Sequence, residues 1–163
     1  MAIWFAVLCS ILIARGQGLP AESAETLDGK KVDFPGALRG TVSVCVFGFG
    51  RESSDKATVW LENLSADGIN AWSVVNIEST AAPARAVIRM TMRKGTPATL
   101  LGRSLVIAKD AKTWKQLLEV TKESLPVVVL FDAEGHIAWK RQGTFSGAIG
   151  DELKAQIAAL GTR

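Results

Sequence analysis

Two runs of the chain, "TVSVCVFGFG" at residues 41–50 and "LPVVVLFD" at residues 125–132, are apolar at nearly every position. A strand with one wet face alternates apolar and polar residues, so an unbroken run marks a strand covered on both faces. A chain with two such strands must place other elements on each side of a sheet, which is the layered α/β arrangement. The remaining pattern supplies those layers. Residues 54–66 bring Ala57, Trp60, Leu61 and Leu64 onto one helical face and close at Asp67 and Gly68. "INAWSVVNI" follows as a strand, and a helix is predicted from Pro83, a residue suited to the first helical position, to Gly95. "SLVIAKD" is a short strand, after which Asp110 is expected to cap a helix with Trp114, Leu117 and Leu118 inward. "HIAWKRQ" is a strand reached through a turn at residues 133–135, and Ile149, Leu153, Ile157 and Leu160 mark a closing helix. Upstream, Asp28 and Gly29 sit between two strand-like pieces as a hairpin turn.

The first fourteen residues, "MAIWFAVLCSILIA", carry no charge and precede Arg15 and a run of small residues. They are too short to span a bilayer as a helix and match the apolar region of an export signal. The chain accordingly divides into a signal peptide at residues 1–18 and one domain at residues 19–163, with a mature start between Gly16 and Ala24 and a location outside the cytoplasm, periplasmic or extracellular. The usual basic residues before the apolar run are missing, so a buried strand or an uncleaved membrane anchor remains open. The net charge of +3 comes from scattered Lys and Arg without an aromatic-studded basic strip, which excludes nucleic acid as a partner.

Cysteine occurs only at positions 9 and 45. Removal of the leader leaves Cys45 alone, so the domain holds itself together by its core and not by a disulfide. Cys45 lies mid-strand between Val44 and Val46 and reads as a small buried hydrophobe. A single-cysteine oxidoreductase or peroxidase using Cys45 is the catalytic alternative. A reactive thiol, however, needs a nearby cation or helix N-terminus, which this position does not offer locally.

The turn "GFGRESSDK" joins the first buried strand to its helix. Gly48-x-Gly50-x-x-Ser53 imitates a dinucleotide fingerprint, with Glu78 where a ribose-binding acid could stand, but the third glycine is missing and turn geometry accounts for the two present. Free N–H groups at the helix start, with Arg51, Ser53 and Ser54, suit a carboxylate or another anion; an ordinary serine cap is the simpler reading. Arg85, Arg89 and Arg93 recur every four residues, with Val87, Ile88 and Thr91 on another side, as a solvated basic face or a contact for anionic lipid or an acidic partner. His136 is the only histidine, and Met90 and Met92 fall on different helical faces, so neither a histidine nor a thioether metal site is expected. No metal or cofactor is implied.

From residue 125 onward, Pro126, Asp132, Gly135 and Gly143 resemble the C-terminal half of thioredoxin-like proteins of the redoxin type, and the hairpin "LDGKKVDF" with "LRGTVSVCVFGFG" resembles their N-terminal part. The likeness covers residues 24–160. It implies a thioredoxin-like sandwich: a central mixed sheet with an N-terminal hairpin and flanking helices, and a cis Leu125–Pro126 bond facing the turn at residues 49–54. It also implies that redox activity would reside in cysteines at that turn. Serine cannot replace them, because a hydroxyl has no route through thiolate, sulfenic acid and disulfide. Trp60, Asp132, Gly135, Ile137 and Trp139 further resemble the mitochondrial ATP synthase assembly factor family and its bacterial look-alikes, from which Ala138 departs. That resemblance implies a non-catalytic binding or assembly role toward a protein partner. The expected recognition surface is Phe49, Gly50, Arg51, Ser53 and Ser54, with Trp60 and Pro126 beside them.

Overall fold

The computed structural model describes residues 19–161; the expected leader and its Cys9 lie outside them. The hairpin forms as β1 (Glu22–Thr26) and β2 (Lys31–Phe34). Its turn is closed by Gly29 at φ 90, a backbone region open to glycine, and by the Thr26 hydroxyl, which bonds the Asp28 carboxylate. The two apolar runs become β3 (Ser43–Gly48) and β6 (Val127–Phe131), buried at every position. Between and after them come α1 (Arg51–Ala66), β4 (Ala71–Asn76), α2 (Ala82–Gly95), β5 (Ser104–Ile107), α3 (Ala111–Leu117), β7 (Ile137–Gln142) and α4 (Gly147–Gly161).

The strands form one seven-stranded sheet, β2-β1-β5-β4-β3-β6-β7. β3, β4 and β5 run parallel, the register passing through Cys45↔Trp72 and Val74↔Leu105, while the outer pairings are antiparallel. Each parallel step is a crossover through α1 or α2, as parallel neighbours require. The two-residue period of β4 shows where the layers lie. Ala71 packs with Trp60, Leu61 and Leu64 of α1 and Leu153 of α4, and Val75 packs with Ile88 and Met92 of α2. On the opposite face, Trp72 and Val74 meet Trp114 and Leu118 from α3 and the segment that follows it. Trp60 and Trp114 are both fully buried, one anchoring each face. Burial of such side chains, at about 1.5–3 kcal/mol for a Val, Leu, Ile, Phe or Met, is what holds the layers to the sheet.

Three sequence expectations change. α1 begins at Arg51 and not at residue 54, because Gly50 O already accepts the Ser54 N–H at 3.0 Å. Asp110 does not cap α3: it sits in the left-handed region at φ 55 without a cap bond, and Glu78 Oε2 accepts the Ala111 N–H instead, at 2.6 Å. Leu125–Pro126 is trans, and the one cis peptide among the described residues is Phe34–Pro35. The chain has already turned before Pro126, where Leu125 N–H donates to Lys122 O at 3.0 Å, so β6 is entered through an ordinary trans bond.

Candidate functional site

The turn at residues 48–54 lies where β3 ends and α1 begins, at the carboxyl edge of the parallel strands. Gly48 is required there: a Cβ would stand 2.8 Å from Ser54 Oγ and 3.3 Å from the Ser54 backbone. Gly50 has open space around it and an extended backbone. Gly48 therefore serves strand-to-helix packing, and one carboxylate oxygen of Glu78 is occupied at the start of α3.

Both serines are turned onto backbone. Ser53 Oγ accepts the Phe49 N–H and donates to Gly50 O, both at 3.0 Å, and Ser54 Oγ donates to Gly50 O at 2.8 Å. Ser53 is fully buried. Neither hydroxyl binds the N–H groups of residues 51–53, so the helix lacks the side-chain cap that the sequence suggested, and those N–H groups have no partner inside the helix. Gly50 and Ser53 stand three residues apart at the N-cap and third helical positions, the spacing of a Cys-x-x-Cys pair, and neither has sulfur. No side-chain base bonds either serine among the described residues. His136 is at the far end of β6, about 20 Å away at a strand's rise per residue, beside Asp132 at 3.4 Å.

Around the turn, Phe49 is 5% exposed and stacks on Phe47 with ring centroids 6.4 Å apart. Lys115 Nζ of α3 lies 5.7 Å from the Phe49 ring centroid and pairs with Glu123 at 2.7 Å. Lys56, one turn into α1, reaches Ser124 O at 3.0 Å and Glu52 at 2.7 Å, which holds the loop before Pro126 against the helix start. The Lys56 ammonium keeps the Glu52 carboxyl below its ordinary pKa. Gly143 then ties two expected site residues together: its N–H donates to Pro126 O and its carbonyl accepts Trp60 Nε1, each at 3.0 Å. Trp60 is wholly inside, edge-on to Phe145, so it supports the site from beneath. Of the expected recognition residues, Gly50 and Arg51 are exposed, Ser54 is half-buried, and Phe49, Ser53, Trp60 and Pro126 are buried.

Sequence reasoning missed the residue that shapes the neighbouring loop. Gln142 Oε1 accepts from the Thr121 N–H and hydroxyl at 3.0 and 2.8 Å, and its Nε2 donates to Lys122 O and Leu125 O at 2.8 and 3.3 Å. A polar residue closing a strand gives no hint of four bonds to a segment 17 to 21 positions away. An open hollow of about 760 Å3 adjoins the turn across Lys115, between Glu78 and Ser79 on one side and Lys112, Glu119 and Glu123 on the other. Its Glu119 is bridged to Lys140 at 2.8 Å.

Cys45 lies five residues before Gly50, about 16 Å along the strand. It is 0% exposed, and burial pushes its thiol pKa well above the ordinary value. The basic face also differs from expectation. Arg85 donates to Thr80 O and Glu78 O, and Arg89 to Val106 O, so two of the three arginines are engaged by the protein itself.

No family model matches the chain, and no curated protein matches it. Solved structures do. The chain superposes on BsSco, a member of the Sco family of cytochrome c oxidase assembly proteins, with TM-score 0.59 and 13% identity over 88% of this chain and 94% of that one. The pneumococcal exposed lipoprotein thioredoxin Etrx1 from Streptococcus pneumoniae strain TIGR4 gives 0.56 and 17%, over 83% and 99%. A putative thiol:disulfide interchange protein DsbE from Chlorobium tepidum gives 0.56 and 18%, over 89% and 96%. At these identities the likeness is one of fold, and the fold is thioredoxin-like.

Proposed function

We propose that this protein is a binding module of the assembly-factor or chaperone kind, which uses a thioredoxin-like fold in the cell envelope without thiol chemistry. The observation that carries the reading is the occupancy of the turn: Gly50 and Ser53 stand at the cysteine spacing, and the one thiol of the domain is sealed inside β3. Exchange of a disulfide requires an accessible thiolate and a resolving partner, and Cys45 in mid-sheet offers neither. The single-cysteine oxidoreductase alternative has no supporting geometry. The partner in this reading is a protein, met at exposed Gly50 and Arg51 with half-buried Ser54 beside them, and with the loop at residues 121–126 as the adjoining wall. The resemblance of Trp60 and Trp139 to the ATP synthase assembly factors supports the role class, as does the fold shared with a cytochrome c oxidase assembly family. An envelope location rests on the apolar first fourteen residues. Placing a photo-crosslinking residue at position 51 of the full chain, with position 151 on α4 as the control, tests the reading in native envelopes. Capture of a defined protein at 51 and not at 151 is expected; equal capture at both, or none at 51, counts against it.

A further inference from the structure

Helix α2 packs Ile88 and Met92 toward the sheet and leaves two other apolar side chains facing out. None of its residues is fully buried, and its first two arginines are taken up by the protein itself: Arg85 Nε and Nη2 donate to Thr80 O and Glu78 O in the preceding turn at 2.9 and 3.0 Å, and Arg89 donates to Val106 O at 3.4 Å and lies 3.7 Å from the Glu25 carboxylate. At 3.6 residues per turn these arginines share the inner side with Ile88 and Met92. The outer side then falls to Pro83, Val87, Met90 and Lys94. Val87 and Met90, at 57% and 54% exposure, are the two most exposed large apolar side chains among the described residues. Arg93 and Lys94 close the helix beside them.

The charge along this stretch of the sequence is one-sided. Residues 79–109 hold Arg85, Arg89, Arg93, Lys94, Arg103 and Lys109 and no Asp or Glu, whereas a 31-residue stretch at the chain's average acidic content would hold about three acids. An apolar stripe on a basic, acid-free helix is the pattern of a helix lying in a membrane interface, where each Lys or Arg near an anionic surface adds attraction. A second copy of the same helix would bring Arg93 and Lys94 against their own kind with no acid on the helix to offset them.

We propose that the outer face of α2 rests on an anionic lipid bilayer, with Val87 and Met90 entering the interface and Arg93 and Lys94 among the headgroups. The contact goes beyond the binding role at the β3–α1 turn and does not depend on it. Two apolar side chains and two cations make a weak hold alone, and stable attachment takes a second signal. The uncharged residues 1–14 supply a segment of suitable character. The described chain starts at Leu19, six residues before Glu25 at the Arg89 contact, and so within about 20 Å of Glu25 at a strand's rise per residue.

The test uses the full chain with Cys9→Ser and an environment-sensitive fluorophore on Ala86→Cys, exposed next to the stripe, or on Thr113→Cys, exposed on α3 across the sheet. Vesicles of phosphatidylcholine alone are compared with vesicles that also contain phosphatidylglycerol. The expected result is a blue shift at position 86 only with the anionic vesicles, reversed by high salt, and none at position 113. Arg93→Gln with Lys94→Gln should weaken partitioning about 5-fold per cation, roughly 30-fold together. Val87→Ser with Met90→Ser should remove the blue shift even where the chain still sediments with vesicles. No shift at position 86, an equal shift at 113, or a shift without lipid that grows with protein concentration overturns the proposal, the last in favour of self-association.

Discussion

Replacing Cys45 by serine should destabilise the domain more than replacing it by alanine. Cys45 lies between β4 and β6, paired with Trp72 on one side and Val129 on the other, in a cluster with Phe47, Val74 and Trp114. The ladders on both sides occupy the surrounding backbone donors and acceptors, so a serine hydroxyl there has no unshared partner. A buried polar group left without a bond costs about 1–3 kcal/mol, whereas alanine loses only the packing of one sulfur. With a urea dependence of about 2 kcal/mol per molar, the serine variant should unfold roughly 0.5–1.5 M earlier than the alanine variant. Trp fluorescence through a urea titration measures both midpoints, on a Cys9→Ser background. The Cys9→Ser protein with Cys45 intact provides a second reading through thiol labelling. If Cys45 reacts only when the sheet opens, and opening costs at least about 5 kcal/mol, labelling should be at least roughly 10³-fold slower than in the unfolded chain. A serine variant as stable as alanine, together with native labelling within tenfold of the unfolded rate, would refute the burial argument and return Cys45 to the accessible thiols.

Gln142→Ala removes four bonds to the loop at residues 121–125, and the Thr121 amide should lose its protection in hydrogen exchange while β3 amides keep theirs. Trp60→Phe leaves Gly143 O without its indole donor and should cost about 1–3 kcal/mol in urea unfolding, with loosening of the Pro126 segment. Glu22 is buried with one oxygen on Trp114 Nε1 at 3.0 Å; desolvation raises its pKa, against the indole bond, with Asp110 and Glu78 adding to the rise and Lys109 opposing it. The folded state therefore holds this proton more tightly than the unfolded chain, so the ionised side chain costs stability above the raised pKa and that cost disappears as pH falls toward the ordinary carboxyl value. Glu22→Gln should thus be more stable than wild type at pH 7, with the gap closing as pH falls toward 4.5; a gap that widens on acidification would refute the assignment.

Periodicity carried most of the fold because β3, β6 and the inner faces of α1 and α4 are fixed by burial, and burial is written residue by residue. It could not tell that β1 would lie beside β5, since hairpin docking is a long-range choice. It placed Asp110 as a cap from residue type alone, whereas at φ 55 that residue makes no cap bond and a distant glutamate takes its role. The turn at residues 48–54 was legible as a site position, but the depth of each side chain was not. Trp60 and Phe49 looked like recognition aromatics because their spacing does not reveal that Gly143 and Lys115 close over them. The engaged arginines of α2 were hidden for a related reason: a helix pattern gives two faces, and only the carbonyls of residues 78, 80 and 106 show that Arg85 and Arg89 are taken up by the protein itself.

The central claim is that this domain uses its fold without thiol chemistry, and the most direct measurement is turnover: reduction of insulin disulfides with dithiothreitol as the electron source, and consumption of hydrogen peroxide, by the purified full chain carrying Cys9→Ser. Rates equal to the protein-free background are expected in both assays. Turnover above background that disappears in a folded Cys45→Ala variant would contradict the claim.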